Sequence, residues 1–522
     1  MTTAVSAESV VTSSGVIGDT VLIENGNVTA IGMRSELSMT GYDRIEYPGA
    51  YIVPGFRDAH IHAVPYASLL SGCSLKSATS IGDLTGRLRA FAESLPAGTP
   101  VVAFRLDDEA LEELRLPTRD DLDQAISNRP VVIYRYCGHI AVANSLALAE
   151  SGVDASTPDP EGGLIDRDTV GRPTGVMRET AMAMMTGALG RGAPIDRGAA
   201  IDGLTRLAGL GLTSIGAMIG YGESTTDTLA TESELIRSVA DDLPLRVHAL
   251  SIAATPESLN DSARVLANAG ARLRWLGVKR FADGSLGGHT AAMCSPFEDE
   301  NTTGTLRLTK QDIEVSRHSL KLGGMVAIHA IGDRAIGEVL DVFDLLMHDG
   351  ASPQDLRMEH VSVASPALID LFARSGAIAV VQPAFLASEE SWLAKRLGEE
   401  RLDWAYPFAS MNAAGITLAG SSDSIVEPPN PLWGMAAAMD RHGIGPDQKM
   451  TGLQALHMFT DGGAVALREP KPLAPGSPAD IALIDVDMST ASAKAVKNAN
   501  VLDTYVGGVA VEVDRSLPTW VD

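Results

Sequence analysis

The chain has 522 residues, of which 45% are hydrophobic and 20% charged, and its formal net charge at neutral pH is −25. This length allows two or three domains, although a single barrel domain can take up about 250 residues or more. The negative charge argues against nucleic acid or an anionic membrane as a partner, because both are bound through lysine and arginine.

The cysteines and the N-terminus indicate the cellular compartment of the protein. Cys73, Cys137 and Cys294 are far apart and form no CxxC pair, so they predict neither a disulfide framework nor a zinc knuckle. The first residues lack the basic and apolar segments of a signal peptide, and no apolar run approaches the ~18 residues of a membrane span. We therefore expect a soluble, cytoplasmic protein.

Both ends of the chain are predicted to form β-strands. Residues 20–32 indicate two short strands joined at Asn25-Gly26, which is a signal for a type I′ hairpin. Residues 478–487 and 503–513 are also strand-like, and the second of these segments contains a Gly-Gly turn. The simplest arrangement is one small discontinuous sheet domain, formed by residues 1–50 plus 470–522.

The centre of the chain, residues 51–469, has a different pattern of apolar residues. Eight short apolar runs recur, most of them separated by helical patterns: Tyr51–Phe56, Leu212–Ala217, Leu245–Leu250, Leu276–Phe281, Met325–Ile328, Leu356–Met358, Ala377–Val381 and Ile416–Ala419. Strands that alternate with helices predict an α/β fold with a parallel sheet, and eight such strands favour a closed (β/α)8 barrel.

The gap between the first and second runs is too long for one helix. Residues 70–195 contain strand-like segments of their own, at Val101–Phe104 and Val131–Tyr134, and the Pro/Gly-rich segment Pro158–Pro173. We interpret this stretch as an inserted subdomain and expect it to cover the barrel mouth.

Candidate functional residues lie at the ends of several of the apolar runs. In chain order they are His60 and His62, Lys279, His329, His360 and Asp423. Each alone is as typical of a structural residue as of a site, but all fall at the same end of a strand, and in a barrel these ends meet at one mouth. Imidazoles and a carboxylate suit a divalent metal, with zinc first and manganese or iron as alternatives.

The sequences that flank these candidate ligands are a more specific signal than the residue types of the ligands. The segments concerned are VPGFRDAHIHA, CGHIAVANSLAL, GRPTGVMRE, VKRFADGSLGGHTA, HAIGDRA, MEHVS, GSSDSIVEPPNPL and PGSPADIALID. The chain resembles the amidohydrolase superfamily in the order of its ligands. In these segments it resembles amidohydrolase family 3, the group of the YtcJ-like hydrolases and the N-substituted formamide deformylases, from about residue 20 to the C-terminus.

The resemblance implies the fold and the ligand set. It implies the barrel, a small β-sandwich built from both termini, and the inserted subdomain. The implied ligands of one or two metal ions are His60, His62, Lys279, His329, His360 and Asp423, with Lys279 carboxylated. Two departures from the family pattern concern substrate contacts: His289 stands in place of an arginine, and Gln382-Pro383-Ala384-Phe385 lacks a polar residue after Gln-Pro.

The expected activity is hydrolysis of an exocyclic amide or N-formyl bond by metal-activated water, with Asp423 as the proton acceptor. His139 is a candidate to contact substrate or stabilise the oxyanion, or else is a structural residue of a lid. Alternatives are hydrolysis of a cyclic amide, imide or carbamate, a metal-dependent isomerase, and a non-catalytic metal-binding remnant. The expected partner is a small-molecule amide. The sequence leaves open whether the protein forms a homodimer.

Three acidic residues near the predicted ligands have more modest roles. Asp333 and Glu359 either orient metal ligands through hydrogen bonds or serve as helix caps and salt-bridge partners, and the sequence slightly favours the second role. Asp283 is predicted to shape a glycine-rich turn.

Overall fold

A computed structural model describes residues 2–135, 140–160, 163–185, 197–220, 226–267 and 269–515. The chain divides into two compact units. Among the described residues, the first contains those up to 63, residues 204–220 and residues 226–515, and the second lies within Val64–Gly203. The domain bounds predicted from the sequence stay a prediction.

Strands from both ends of the chain form one eight-stranded sheet in the first unit. They are Thr2–Thr12, Gly15–Glu24, Asn27–Gly32, Asp43–Glu46, Tyr51–Pro54, Ile481–Ile484, Val501–Val506 and Val509–Ala510. The C-terminal strand Ile481–Ile484 pairs with Tyr51–Pro54, so neither end completes the sheet alone. Asn25 and Gly26 have φ angles of 49° and 81°, as a type I′ hairpin requires.

The first apolar run of the sequence is two strands and not one. Tyr51–Pro54 belongs to the terminal sheet, and the first barrel strand begins at Phe56. The change occurs at Gly55, whose amide donates to the carbonyl of Asp480. A Cβ atom on Gly55 would lie 2.3 Å from the side chain of Thr213, so only glycine fits where the chain passes from one sheet to the other.

Eight parallel strands form the barrel and pair in chain order. They are Phe56–Ile61, Leu212–Ile219, Arg246–Ser251, Leu273–Phe281, Met325–Ala330, Leu356–His360, Ile378–Val381 and Thr417–Gly420. Two backbone hydrogen bonds join the first strand to the segment after the last: Asp423 N to His60 O (2.9 Å) and His62 N to Ser424 O (2.7 Å). The predicted α/β barrel fold is therefore confirmed.

Helices separate the barrel strands along the chain. They are Arg197–Gly209, Thr226–Ser238, Pro256–Leu266, Lys310–Lys321, Asp333–His348, Pro366–Ser375, Phe385–Glu389, Leu393–Leu402 and Phe408–Ala413. After the last strand come Pro431–Asp440, Gly452–His457, Gly463–Ala466 and, near the C-terminus, Ala493–Lys497. Apolar side chains such as Met218, Leu250 and Met325 form a buried cluster contributed by the barrel strands. This core supports the polar residues at the strand ends.

The second unit has a six-stranded sheet of its own. Its strands are Cys73–Ser74, Val101–Leu106, Val131–Arg135, Ile140–Ala143, Gly163–Arg167 and Pro173–Glu179, and its helices are Ala63–Ser71, Ile81–Ser94, Arg119–Ala125 and Ser145–Glu150. In both units, none of the helices among the described residues combines the length and the hydropathy required to cross a bilayer.

Candidate metal centre

The predicted ligands lie at the carboxyl ends of barrel strands. His60 is in the first strand and His62 follows it, Lys279 is in the fourth, His329 in the fifth, His360 ends the sixth, and Asp423 follows the eighth. Because these ends share one face of the barrel, residues far apart in sequence come together there.

His60, His360 and Asp423 form the centre of the cluster. Each offers one ligand atom, and the three atoms lie within 4.8 Å of one another. Asp423 Oδ1 lies 3.2 Å from Nε2 of His60 and 3.3 Å from Nε2 of His62. Ligands at zinc–ligand distances of about 2.1 Å in a tetrahedron are roughly 3.4 Å apart, so this donor set fits a zinc-sized cation.

Two of these residues have left-handed backbone conformations. The φ angle is 76° at His360 and 54° at Asp423. Such a conformation costs free energy for a residue with a side chain, and it persists where neighbouring contacts enforce it. The closure hydrogen bond from Asp423 N to His60 O is one such contact.

A buried carboxylate orients His60. Glu359 Oε2 lies 2.6 Å from His60 Nδ1. Arg357 donates to both oxygens of Glu359, over 2.6 Å from Nε and 2.9 Å from an η nitrogen. Burial alone would raise the pKa of Glu359, but the Arg357 guanidinium holds it far below its usual range. With an ionised acceptor at Nδ1, that nitrogen carries a proton, and Nε2 faces Asp423.

An amide side chain orients His360 in the same way. Nδ1 of His360 lies 2.8 Å from Gln382 Oε1, and Gln382 Nε2 donates to Ser421 Oγ over 2.9 Å. Because an amide oxygen can only accept, Nδ1 is the protonated nitrogen and Nε2 is the one available to a metal. Burial holds the pKa of His360 well below its ordinary value, so the ring is neutral, as a ligand must be.

His329 lies beside this group of three but outside it. Its ring centroid is 4.4 Å from that of His360. Its Nε2 lies 2.9 Å from the carbonyl oxygen of Gly284 and 3.2 Å from Asp283 Oδ1, so Nδ1 is the nitrogen left for a metal. Asp283 also accepts from the amides of Ile331 and Gly332, so it links the segments that follow the fourth and fifth strands, and its turn-shaping role stays a prediction.

Lys279 is buried within the barrel, with 1% of its surface exposed. Within the described part of the chain, no carboxylate forms an ion pair with its ammonium group. Nζ lies 4.4 Å from the centroid of the Phe281 ring. Burial lowers the pKa of Lys279 to about 8, although the charges of Glu359 and Asp423 oppose that shift. The site therefore does not hold the side chain firmly as a cation.

Asp423 is the carboxylate on the open side of the cluster. Burial acts to raise its pKa, but His60, His62 and His360 together hold the pKa well below its ordinary value. Its side chain is 12% exposed, whereas that of His60 is 1% exposed. An ionised carboxylate that water can reach is a suitable metal ligand and proton acceptor.

Sequence reasoning missed Asp58, although it directly precedes the Ala-His-Ile-His segment. Its Oδ1 accepts from the amides of His60 and Ser422, each over 3.1 Å, and its Oδ2 accepts from the Ser422 hydroxyl. Burial raises its pKa to about 6. Asp58 joins the segments that carry His60 and Asp423.

The other predicted residues have different surroundings. Asp333 Oδ1 accepts from the backbone amide of Cys294 at a helix start, which fits the favoured structural role. His289 lies 3.0 Å from Asp299 and 3.1 Å from Glu300, and its contact with substrate stays a prediction. His139 lies outside the described residues, so its assignment also stays a prediction.

An eight-stranded parallel barrel with imidazoles and a carboxylate at its carboxyl end defines the class of barrel enzymes that use a metal. The chain matches the model of the amidohydrolase family over residues 48–512 and belongs to that family. It is therefore a metal-dependent hydrolase that acts on carbon–nitrogen bonds.

Similar proteins cover nearly the whole chain. YtcJ of Bacillus subtilis (strain 168) is 27% identical over 90% of this chain and 91% of its own. N-substituted formamide deformylase of Arthrobacter pascens is 27% identical over 94% of both chains. An uncharacterized metal-dependent hydrolase from Pyrococcus horikoshii OT3 has 27% identity and a TM-score of 0.78, covering 95% of this chain and 99% of its own. The predicted membership of amidohydrolase family 3 is confirmed.

Proposed function

We propose that the protein hydrolyses an exocyclic amide or N-formyl bond of a small molecule. The observation that carries the proposal is the position of Asp423 on the open side of the site, where its Oδ1 lies within 3.3 Å of Nε2 of His60 and of His62. In this proposal the divalent metal is zinc, and the residues that hold it are His60, His62, Lys279, His329, His360 and Asp423.

Asp423 is the group that moves the proton. A bound metal supplies an activated water and polarises the scissile carbonyl. Because its neighbours keep Asp423 ionised, the carboxylate accepts the proton of the attacking water. The same oxygen then returns that proton to the leaving nitrogen, so the amine departs neutral.

The proposal also gives Lys279 a role as a ligand of the metal. A buried amine without an ion-pair partner is costly as a cation. Attack of the neutral amine on carbon dioxide forms an N–C bond and releases one proton, which turns the side chain into a carbamate anion. As a carbamate, Lys279 would supply an anionic oxygen ligand for the metal.

The N-formyl bond is the first choice within this class of substrates. It is supported by similarity to the Arthrobacter pascens deformylase along 94% of both chains. At 27% identity, this similarity supports the type of reaction more strongly than it supports the identity of the substituent on nitrogen.

The test is a substrate screen with the zinc-loaded full-length protein. N-formyl amines, N-acyl amino acids and cyclic imides are offered in parallel, and the released amine and acid are quantified. We expect amine and formate from the formamides, loss of turnover on chelation, and its return when zinc is restored. Turnover of cyclic imides alone would identify the cyclic class instead, and full metal content without any turnover would contradict the proposal.

A further inference from the structure

The second unit contains a cavity of about 420 Å³. Three segments of the chain form its walls: the start of helix Arg119–Ala125, helix Ser145–Glu150 with the turn that follows it, and Arg172-Pro173. These lining residues all belong to the second unit, whereas every predicted metal ligand belongs to the first. A cavity of this volume is large enough to hold a small molecule.

Two arginines line the cavity with hydrogen-bond donors to spare. Arg119 Nε lies 3.3 Å from Asp120 Oδ1, and Arg172 Nε lies 2.8 Å from Asp168 Oδ2. In the described part of the chain, no acceptor contacts the η nitrogens of either arginine. Those of Arg119 stay open to solvent, although its side chain is only 17% exposed. Guanidinium groups with free η nitrogens bind a carboxylate or a phosphate through paired hydrogen bonds.

The rest of the lining is largely apolar. Leu148 and Val153 are 3% and 5% exposed, and Pro173 is also buried. The amide of Val153 donates to the carbonyl of Leu148 over 2.9 Å, which holds the turn against its helix. A ligand with an anionic group and an apolar body would therefore match both parts of the lining.

The wall that carries Arg119 is held by close backbone packing. Gly175, in the strand that begins at Pro173, has a φ angle of 99°. A Cβ atom on Gly175 would lie 2.4 Å from the carbonyl oxygen of Ala143 and 3.0 Å from the amide nitrogen of Arg119. This close approach fixes the backbone of Arg119 against the neighbouring strand, so a ligand would meet a site that is already formed.

We propose that the cavity binds a small molecule with one carboxylate group and an aliphatic body. Arg119 and Arg172 hold the carboxylate, and Leu148 and Val153 contact the aliphatic body. Asp154 also lines the cavity, and its negative charge favours a singly charged carboxylate over a phosphate dianion. The site goes beyond the proposed function, because no predicted metal ligand takes part in it.

The experiment titrates hexanoate into the zinc-loaded full-length protein and measures its Kd by ligand-observed NMR. Hexanol, which lacks the charge, and inorganic phosphate, which lacks the aliphatic body, are titrated in parallel. Arg119→Gln removes one guanidinium, and Ala149→Phe fills the cavity from an exposed position of its lining. Arg87→Gln is the matched control, because Arg87 also pairs with an aspartate in the second unit but does not line the cavity.

Hexanoate should bind to wild type at least about tenfold more tightly than hexanol or phosphate. Arg119→Gln should weaken it at least about tenfold, as expected for loss of a hydrogen bond to a charged group. Ala149→Phe should abolish binding, because the ring takes the place of the aliphatic body. Arg87→Gln should bind hexanoate like wild type, and bound zinc should stay constant in every variant.

Three results would overturn the proposal. Unchanged hexanoate binding in both site variants would place the carboxylate elsewhere, for example on the metal. Hexanol or phosphate binding as tightly as hexanoate would show that the cavity does not select an aliphatic carboxylate. Equal losses in all three variants would show an effect that is not specific to the cavity. Melting temperatures are compared throughout, and each site variant tests the proposal alone if the other does not fold.

Discussion

The barrel contains two buried clusters in which a carboxylate contacts histidine, one near each end of its strands. Near the amino ends, Glu469 contacts Arg57, His248 and Ser214, at 2.6–2.7 Å. At the carboxyl ends, Asp423 contacts His60 and His62. Both carboxylates have strongly lowered pKa values, but the charge of Glu469 is matched chiefly by Arg57.

The cations beside the two carboxylates differ in kind. Arginine is permanently charged, so Arg57 balances the negative charge of Glu469 and the cluster needs no further cation. Asp423 forms no ion pair with arginine or lysine in the described residues, and its imidazoles are more useful as neutral ligands. A buried carboxylate among imidazoles therefore has room for a metal cation, whereas one held by arginine does not. This difference distinguishes a site from a structural network made of similar residues.

Replacement of Asp423 should have the largest effect. Asp423→Asn keeps the size of the side chain but removes the basic oxygen, so kcat should fall by about 10²–10⁴. At least one metal ion should remain on the histidines, and the melting temperature should change little. Kinetics and bound metal are measured on the same preparation. Near-normal turnover would remove Asp423 from the mechanism, and complete loss of metal would make it chiefly a ligand.

Glu469→Gln is the matching change at the other end of the barrel. It leaves the Arg57 guanidinium buried without its counter-charge, so the free energy of unfolding should fall by about 3–5 kcal/mol. Denaturant titration measures the loss, and the zinc content of the folded fraction should stay constant. Loss of zinc without loss of stability would contradict the distinction between the two clusters.

Glu359 combines the features of both clusters, since it contacts Arg357 on one side and His60 on the other. Glu359→Gln weakens the acceptor that orients His60, so zinc affinity should fall by about 10- to 100-fold. Competition with a metal-binding dye measures the affinity. Asp333→Asn is the control, because Asp333 accepts from backbone amides and contacts no predicted ligand. Equal losses in the two variants would show that the effect is not specific to His60.

Among the described residues, no cation contacts the buried carboxylate of Glu232, and its replacement should have the smallest effect. In that part of the chain its one acceptor contact is with the amide of Gly220 at 2.7 Å, and burial raises its pKa to about 7. Between about pH 4.5 and 7 the folded state holds a proton that the unfolded carboxyl has released. The free energy of unfolding should therefore fall as pH rises through this window, by at most about 1.4 kcal/mol per pH unit.

The control for this pH dependence is Glu232→Gln. Thermal unfolding of wild type and variant is compared at several pH values across the window. The variant should have a flatter profile, because its side chain does not titrate. Identical slopes would show that Glu232 titrates normally in the folded protein.

Local sequence patterns were sufficient to predict the barrel. Its strands are short apolar runs, and five of the eight carry at their carboxyl ends a residue type that is costly to bury without a function. The division of Tyr51–Phe56 into two strands was not predictable, because both strands are apolar and only the contact of Gly55 with Thr213 separates them.

The predicted ligands were found from their position at strand ends, but their partners were not. Glu359 and Gln382 orient His60 and His360 through contacts that link different strands, and no local pattern encodes such contacts. For Glu359 the sequence slightly favoured a salt-bridge role, and the structure gives it that role together with contact to His60.

The closure of the barrel places the metal centre where the first barrel strand meets the segment after the last. Ser422 donates to Asp58 across 364 positions of the chain, and the closure bonds of His60 and His62 are adjacent to it. Contacts of this kind are slow to form during folding, because a long loop must close before they contribute any stability. A cation that binds there favours the closed native state over the open chain by mass action. A bound metal would thus also stabilise the closure of the barrel, which is a late step in its folding.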